Sequence, residues 1–132
     1  MNYLLDTPTL IWVISEKERL SHRVIRIFSD SANTFFVSAI SFWEIALKFS
    51  RGKLEIEGIF PEEVPNLAIQ SGFKLIPLLP DESATFSRLI VTTHKDPFDR
   101  MLIWQAIQRN LTFITIDDQL AQYEIAGLKT LW

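Results

Sequence analysis

The sequence predicts an α/β fold built around a mostly parallel sheet of about five strands. Short apolar runs, rich in aromatic and β-branched residues, alternate along the chain with longer amphipathic segments that carry helix start and stop signals. Such alternation is typical of strands joined by crossover helices. The chain has 132 residues and shows no repeat, low-complexity run or Gly/Ser linker, so we expect one domain over residues 1–132.

Five strand-sized runs supply the predicted sheet. They cover residues 3–5, 35–37, 73–76, 111–116 and 128–132. Several of these runs are apolar on both faces, which is typical of parallel strands and favours a parallel arrangement.

Helices are predicted between these runs, over residues 22–28, 42–49, 61–71, 82–91, 97–110 and 118–123. Ser41 and Glu44 have the spacing of a capping box. Gly72 follows the third helix as a C-terminal glycine would. Asp96 is an N-cap candidate because Pro97 occupies the first helical position after it. These signals fix where three of the helices begin or end.

Composition excludes several kinds of site. The chain has no cysteine and only two histidines, far apart in sequence, which excludes thiolate chemistry and argues against a histidine-based zinc site. The net charge is -3, from 16 acidic and 13 basic residues, so bulk positive charge does not supply nucleic-acid binding. Carboxylate sites for hard cations remain open.

The chain also lacks the marks of a membrane or secreted protein. No segment approaches the roughly 18 unbroken apolar residues of a membrane span. The start has no basic region and reaches an acid at Asp6, unlike a signal peptide. We therefore expect a cytoplasmic protein with no membrane partner.

Acidic residues fall at corresponding places in the predicted fold. Asp6 and Asp117 end the first and fourth strands, Glu44 lies one turn into the helix after the second strand, and Asp99 lies in the first turn of the helix before the fourth. Ligands of open parallel sheets bind outside the carboxyl ends of the strands. We therefore expect these four acids to meet at that edge.

Each acid also has a structural interpretation. Glu44 would complete the capping box, and Asp96, Asp99 and Asp117 would serve helix starts. Asp6 is harder to explain in this way, because Thr7 is the better cap candidate. Together the acids would repel one another at a buried edge unless something offsets their charge.

A bound Mg²⁺ or Mn²⁺ would offset that charge, since both ions prefer oxygen ligands. Asp6 and Asp99 would hold the ion directly. Glu44 and Asp117 would bind through waters, hold a second ion or orient the attacking water. Such a site suits hydrolysis of phosphodiesters.

Other residues are candidates for binding the substrate. Thr115 would hydrogen-bond Asp6 or a water, and Lys48, Arg51, Lys53 and Arg100 would contact phosphates. Each of these side chains also has an ordinary interpretation, as a strand residue or as part of a solvated face.

Two other α/β classes are disfavoured by residues of this chain. A phosphatase of the haloacid-dehalogenase type needs a second aspartate two residues after Asp6, where this chain has Pro8. A response-regulator receiver needs an aspartate at the third strand, and the segment 75–80 has none.

Five segments together resemble PIN-domain proteins, above all the VapC-type toxins of bacterial type II toxin–antitoxin systems. They are residues 4–7 (LLDT), 37–48 (VSAISFWEIALK), 51–54 (RGKL), 94–103 (HKDPFDRMLI) and 115–117 (TID). Each segment alone is weak, but their joint pattern and order are specific.

The resemblance implies a three-layer α/β/α domain and a Mg²⁺- or Mn²⁺-dependent endoribonuclease. The acidic site of the family maps onto Asp6, Glu44, Asp99 and Asp117, with Asp96 as an additional member. The resemblance also implies a homodimer neutralised by a cognate antitoxin. This chain departs from the pattern at Pro8, where relatives often carry histidine. The alternative is a non-catalytic PIN-like module that binds RNA or protein, and loss of an acid would have favoured it.

Overall fold

A parallel five-stranded sheet forms the centre of the computed structural model, which describes residues 1–90 and 94–132. The strands are β1 (Asn2–Leu5), β2 (Thr34–Ser38), β3 (Lys74–Ile76), β4 (Thr112–Ile114) and β5 (Lys129–Leu131). All neighbouring strands pair in parallel, in the order β3-β2-β1-β4-β5. The predicted fold class and strand number are confirmed.

Six α-helices are seen in the described part of the chain. They are α1 (Thr7–Ser15), α2 (His22–Phe28), α3 (Ala39–Ser50), α4 (Val64–Gln70), α5 (Pro80–Thr85) and α6 (Pro97–Gln108). Segments of 3₁₀ helix span Lys17–Arg19, Pro61–Glu63, Phe86–Arg88 and Asp118–Ala126. Within residues 1–90 and 94–132, no helix combines the length and apolar character needed to cross a bilayer.

Helices cover both faces of the sheet, because strand side chains alternate between two apolar clusters. Tyr3 and Leu5 pack with residues of α1, α2 and α4 on one face. Leu4 and Phe113 pack with α6 and the final 3₁₀ segment on the other. The three-layer α/β/α arrangement is therefore confirmed.

The predicted start of α3 is wrong. Its N-cap is Ser38, whose hydroxyl accepts a hydrogen bond from the Ile40 backbone N–H (3.1 Å). Ser41 lies inside the helix, where its hydroxyl accepts from the Thr7 hydroxyl (3.0 Å). Glu44 therefore lies beyond the first turn of α3. Because Ser41 is not the N-cap, Glu44 does not complete a capping box.

The helix predicted over 82–91 is shorter than expected. It begins at Pro80, and the Glu82 carboxylate accepts from the Leu79 N–H (2.9 Å), which starts the helix early. It gives way to the 3₁₀ turn Phe86–Arg88, and the predicted end at Val91 lies outside the described residues. The predicted start of α6 is confirmed, because the Asp96 side chain accepts from the N–H groups of Phe98 and Asp99.

The strand order places a reversal beside β1. From β1 the chain moves outward through β2 to β3, then returns to the other side of β1 with β4. Crossovers on opposite sides of such a point leave a crevice at the carboxyl ends of the strands. Here those ends belong to β1, β2 and β4.

Candidate acidic site at the carboxyl edge of the sheet

Asp6 follows β1 directly and is 5% exposed. It is the N-cap of α1, since its Oδ1 accepts a hydrogen bond from the Thr9 N–H (2.9 Å). The expectation that Thr7 would be the cap is therefore wrong, because the Thr7 hydroxyl is used in the bond to Ser41. Burial raises the pKa of Asp6, hydrogen bonds from Thr9 and Thr115 oppose that rise, and the charge of Glu44 adds to it.

Glu44 lies on α3, and its side chain is buried. One carboxylate oxygen, Oε2, pairs with the Lys48 ammonium one turn later. The other oxygen, Oε1, is buried with no hydrogen-bond partner among the described residues. A buried acceptor left without a donor is rare and costs about 1–3 kcal/mol.

Asp99 lies in the first turn of α6, next to its N-cap Asp96. Its Oδ2 contacts Nε2 of His94 at 3.1 Å. The pKa of Asp99 is raised to about 6, mainly by burial and then by the charge of Asp96, with a smaller contribution from Glu44. The hydrogen bond and the charge of His94 lower the pKa of Asp99. The Asp99 carboxylate thus lies among like charges.

Asp117 is joined to the other acids through Thr115. The Asp117 carboxylate caps the final 3₁₀ segment by accepting from the Gln119 N–H (3.0 Å). Its own N–H donates to the Thr115 hydroxyl (3.2 Å), and the Thr115 side chain lies close enough to Asp6 to lower its pKa. Thr115 is therefore near both aspartates.

Glu44 lies within electrostatic reach of both Asp6 and Asp99, and Asp99 also lies within reach of Asp96. Within residues 1–90 and 94–132, no three acidic or histidine side chains are close enough to form a complete metal-ligand set. Lys48 holds Glu44, and His94 holds Asp99. The free oxygen of Glu44 and the oxygen-rich donor set nevertheless fit a hard divalent cation.

The four basic residues predicted to bind the substrate lie in different parts of the structure. Burial tends to lower the pKa of Lys48, but its bond to Glu44 and the charges of Asp96 and Asp99 raise it overall. The Arg100 guanidinium donates to the Tyr123 hydroxyl (3.0 Å) and lies 5.3 Å from the centre of the Phe86 ring. Arg51 and Lys53 are exposed in the turn after α3. Lys48 therefore contacts a site carboxylate directly, through its ion pair with Glu44.

Trp43 and Phe98 form an aromatic pair beside the acids, which the sequence did not predict. Trp43 is 59% exposed and meets Phe98 edge-on, with ring centroids 5.0 Å apart. Each residue directly precedes a site acid, Glu44 or Asp99, and that adjacency is a signal that the sequence contains. The pair borders an apolar groove of about 200 Å³.

Comparisons with known proteins agree with this fold. No curated protein matches the chain. Solved structures of similar fold include VapBC2 from Rickettsia felis bound to a promoter DNA fragment (TM-score 0.72, 15% identity, covering 99% of this chain and 98% of that one). They also include DNA-bound VapBC from Salmonella typhimurium (TM-score 0.66, 19% identity, covering 99% of this chain and 97% of that one). A third is VapBC-1 from nontypeable Haemophilus influenzae (TM-score 0.69, 18% identity, covering 99% of this chain and 97% of that one).

A family profile matches most of the sequence. The PIN-domain profile covers residues 3–126, a span that runs from β1 through the final 3₁₀ segment and includes every candidate acid. The chain belongs to the PIN-domain family.

Proposed function

We propose that this protein is a Mg²⁺- or Mn²⁺-dependent endoribonuclease that hydrolyses RNA phosphodiester bonds, and that it is the toxin of a type II toxin–antitoxin pair. One observation carries the proposal. Among the described residues, no donor reaches the buried Oε1 of Glu44, which lies at the reversal point of the sheet near Asp6 and Asp99, two acids whose pKa values are raised by burial and by neighbouring negative charge. Perturbed carboxylates in such a crevice are typical of functional sites.

We assign the acids different roles according to their positions. Asp6 and Asp99 would hold the cation directly, while Glu44 and Asp117 would act through waters, hold a second ion or orient the attacking water, with Asp96 in support. When bound, the cation favours ionisation of water and offsets the charge that builds up on the phosphate. The Thr9 N–H fixes the Asp6 carboxylate in place through a hydrogen bond, and Thr115 lies beside it.

Lys48 is the basic side chain best placed for the substrate. Its ammonium pairs with Glu44 and lies 5.8 Å from the centre of the Phe98 ring. From this position the Lys48 ammonium would contact an RNA phosphate at the rim of the site. Arg51, Lys53 and Arg100 would add phosphate contacts farther along the strand.

A protein partner is the second part of the proposal. The structural neighbours from Rickettsia felis and Salmonella typhimurium are VapBC assemblies bound to DNA. By analogy, we infer a cognate antitoxin for this chain and a homodimeric toxin. The exposed Trp43 and the apolar groove beside the acids offer a surface that a partner would cover while blocking the site.

Comparing RNA cleavage by the parent and by an Asp6→Asn variant tests the proposed nuclease activity. Asparagine caps helices as well as aspartate, so α1 should stay folded while the charge is lost. The parent should cleave single-stranded RNA with Mg²⁺ or Mn²⁺ and stop when EDTA is added, and the variant should lose at least about a hundredfold in rate.

Asp30→Asn is the matched control, because Asp30 also accepts a backbone hydrogen bond but lies in an exposed turn. It should cleave like the parent. Parent-like cleavage by Asp6→Asn would contradict the site. RNA binding without cleavage by the parent, with either metal, would instead identify a non-catalytic binding module.

A further inference from the structure

Ser38 and Gln105 form a buried polar contact outside the acidic site. Both residues are 0% exposed. The Ser38 hydroxyl donates to Oε1 of Gln105 (2.5 Å) while accepting from the Ile40 N–H as the N-cap of α3. Gln105 belongs to α6. A single side chain of α6 is therefore fixed to the first residue before α3.

The amide of Gln105 has one allowed orientation. Its Nε2 donates to the Pro77 carbonyl (3.2 Å) and to Oε1 of Glu82 (3.1 Å). Both of these partners are acceptors, so a flipped amide would place oxygen against oxygen. The Gln105 carbonyl must therefore face Ser38.

An ion pair holds the far side of this network. Arg109 donates to both carboxylate oxygens of Glu82, from Nε to Oε2 at 2.7 Å and from Nη2 to Oε1 at 3.1 Å. Two-point pairing of this kind fixes geometry as well as adding energy. Glu82 in turn accepts from the Leu79 N–H, so Gln105 is attached to a rigid support.

The contact is separated from two site acids by the same number of residues along α3 and α6. Glu44 is six residues after Ser38, and Asp99 is six residues before Gln105. At 1.5 Å per residue, each acid is displaced along its helix by about 9 Å. The neighbouring side chains Trp43 and Phe98 touch, so α3 and α6 are again together at the level of the acids.

We infer that Gln105 is a positioning residue, which acts through Ser38 to set the separation of Glu44 and Asp99. This inference rests on the proposed metal-dependent function. An apolar pair would pack α3 against α6 in several registers, whereas the hydroxyl–amide contact has one geometry. Holding the acids at a fixed separation matters because ligands must be placed before the cation arrives.

Binding of Mn²⁺ to a Gln105→Met variant tests this role without relying on activity. Methionine keeps the size of the side chain and leaves Glu82 and Pro77 with their bonds to Arg109. We expect Mn²⁺ affinity, measured by calorimetry, to fall about tenfold, as for other residues that orient metal ligands. In RNA cleavage, kcat should fall while KM stays within twofold.

Val24→Ala is the matched control. Val24 is fully buried in the apolar cluster on the other face of the sheet, so its truncation should lower the unfolding midpoint and keep Mn²⁺ affinity within twofold. Ser38→Ala removes the same contact from the other side and should repeat the tenfold loss, which covers the case in which Gln105→Met fails to fold.

Parent-like Mn²⁺ affinity in Gln105→Met or Ser38→Ala would overturn this inference alone. A loss in Val24→Ala equal to that in Gln105→Met would also overturn it, because affinity would then follow stability. If the parent itself binds no Mn²⁺, the proposed function fails and this inference fails with it. Measuring the parent first separates these results.

Discussion

Glu44 and Glu82 are both buried glutamates, 5% and 6% exposed, and each pairs with one basic side chain. Their remaining partners differ. Glu82 also accepts from the Leu79 N–H and from Gln105. Glu44 lies near Asp6 and Asp99, and its Oε1 receives no hydrogen bond from the part of the chain that the structure describes.

The difference separates a carboxylate whose partners stabilise the fold from one that we propose to serve the metal site. Burial tends to raise the pKa of Glu82, but its bonds to Arg109, Leu79 and Gln105 lower it overall, so its charged form stabilises the native state. At the acidic edge, burial and like charges raise the pKa of Asp6 and Asp99. The charged forms of Asp6 and Asp99 therefore oppose folding, and under the proposed function a bound cation would offset that cost.

Removing the charge of Glu82 should have the largest effect on stability. Glu82→Gln turns one acceptor into a donor facing Arg109 or Leu79, and we expect it to lower the free energy of unfolding by about 3 kcal/mol. Urea denaturation at pH 7 measures this. Glu16→Gln, in the exposed pair with Arg19, is the control and should cost at most about 0.5 kcal/mol. Equal losses in the two variants would contradict the structural role of Glu82.

Ionisation of Asp99 should change the free energy of unfolding less than Glu82→Gln does, and by an amount that depends on pH. Its pKa is about 6 in the folded protein, against an ordinary value of 3.8, so the native state binds the proton more tightly than the unfolded state. This group therefore favours folding fully below pH 4, and the contribution is lost as pH rises through 6.

The metal-free Asp99→Asn variant should show that loss directly. At pH 7.5 it should be more stable than the parent by about 1 kcal/mol, after allowing for partial solvent screening, and near pH 4 the difference should vanish. Urea denaturation with EDTA at both pH values measures this. A difference that is independent of pH would show that Asp99 does not carry the raised pKa.

The sequence predicted the acidic edge more accurately than the local helix starts. Asp6 could be placed there because an apolar strand ends directly before it. Thr7 and Ser41 were misassigned as caps because Ser and Thr suit several successive positions. Only the end of β2 at Ser38 decides where α3 begins, and that end depends on pairing with β3.

The network around Glu82 could not be predicted. Its partners Gln105 and Arg109 lie 23 and 27 residues away, and Ser38 lies 67 residues from Gln105. No local periodicity encodes such pairing, because it arises when α5, α6 and the end of β2 pack together. For the same reason the sequence could not distinguish Glu44 from Glu82 by their number of partners.

Unfolding of a Glu44→Gln variant with and without Mg²⁺ tests the central claim most directly. Saturating Mg²⁺, at about 100 times its Kd, should stabilise the parent by about 2.7 kcal/mol. The variant should be at least as stable as the parent in EDTA and gain less than about 0.5 kcal/mol from Mg²⁺. Equal stabilisation of both proteins by Mg²⁺, or a variant markedly weaker than the parent in EDTA, would show that Glu44 serves the fold as Glu82 does.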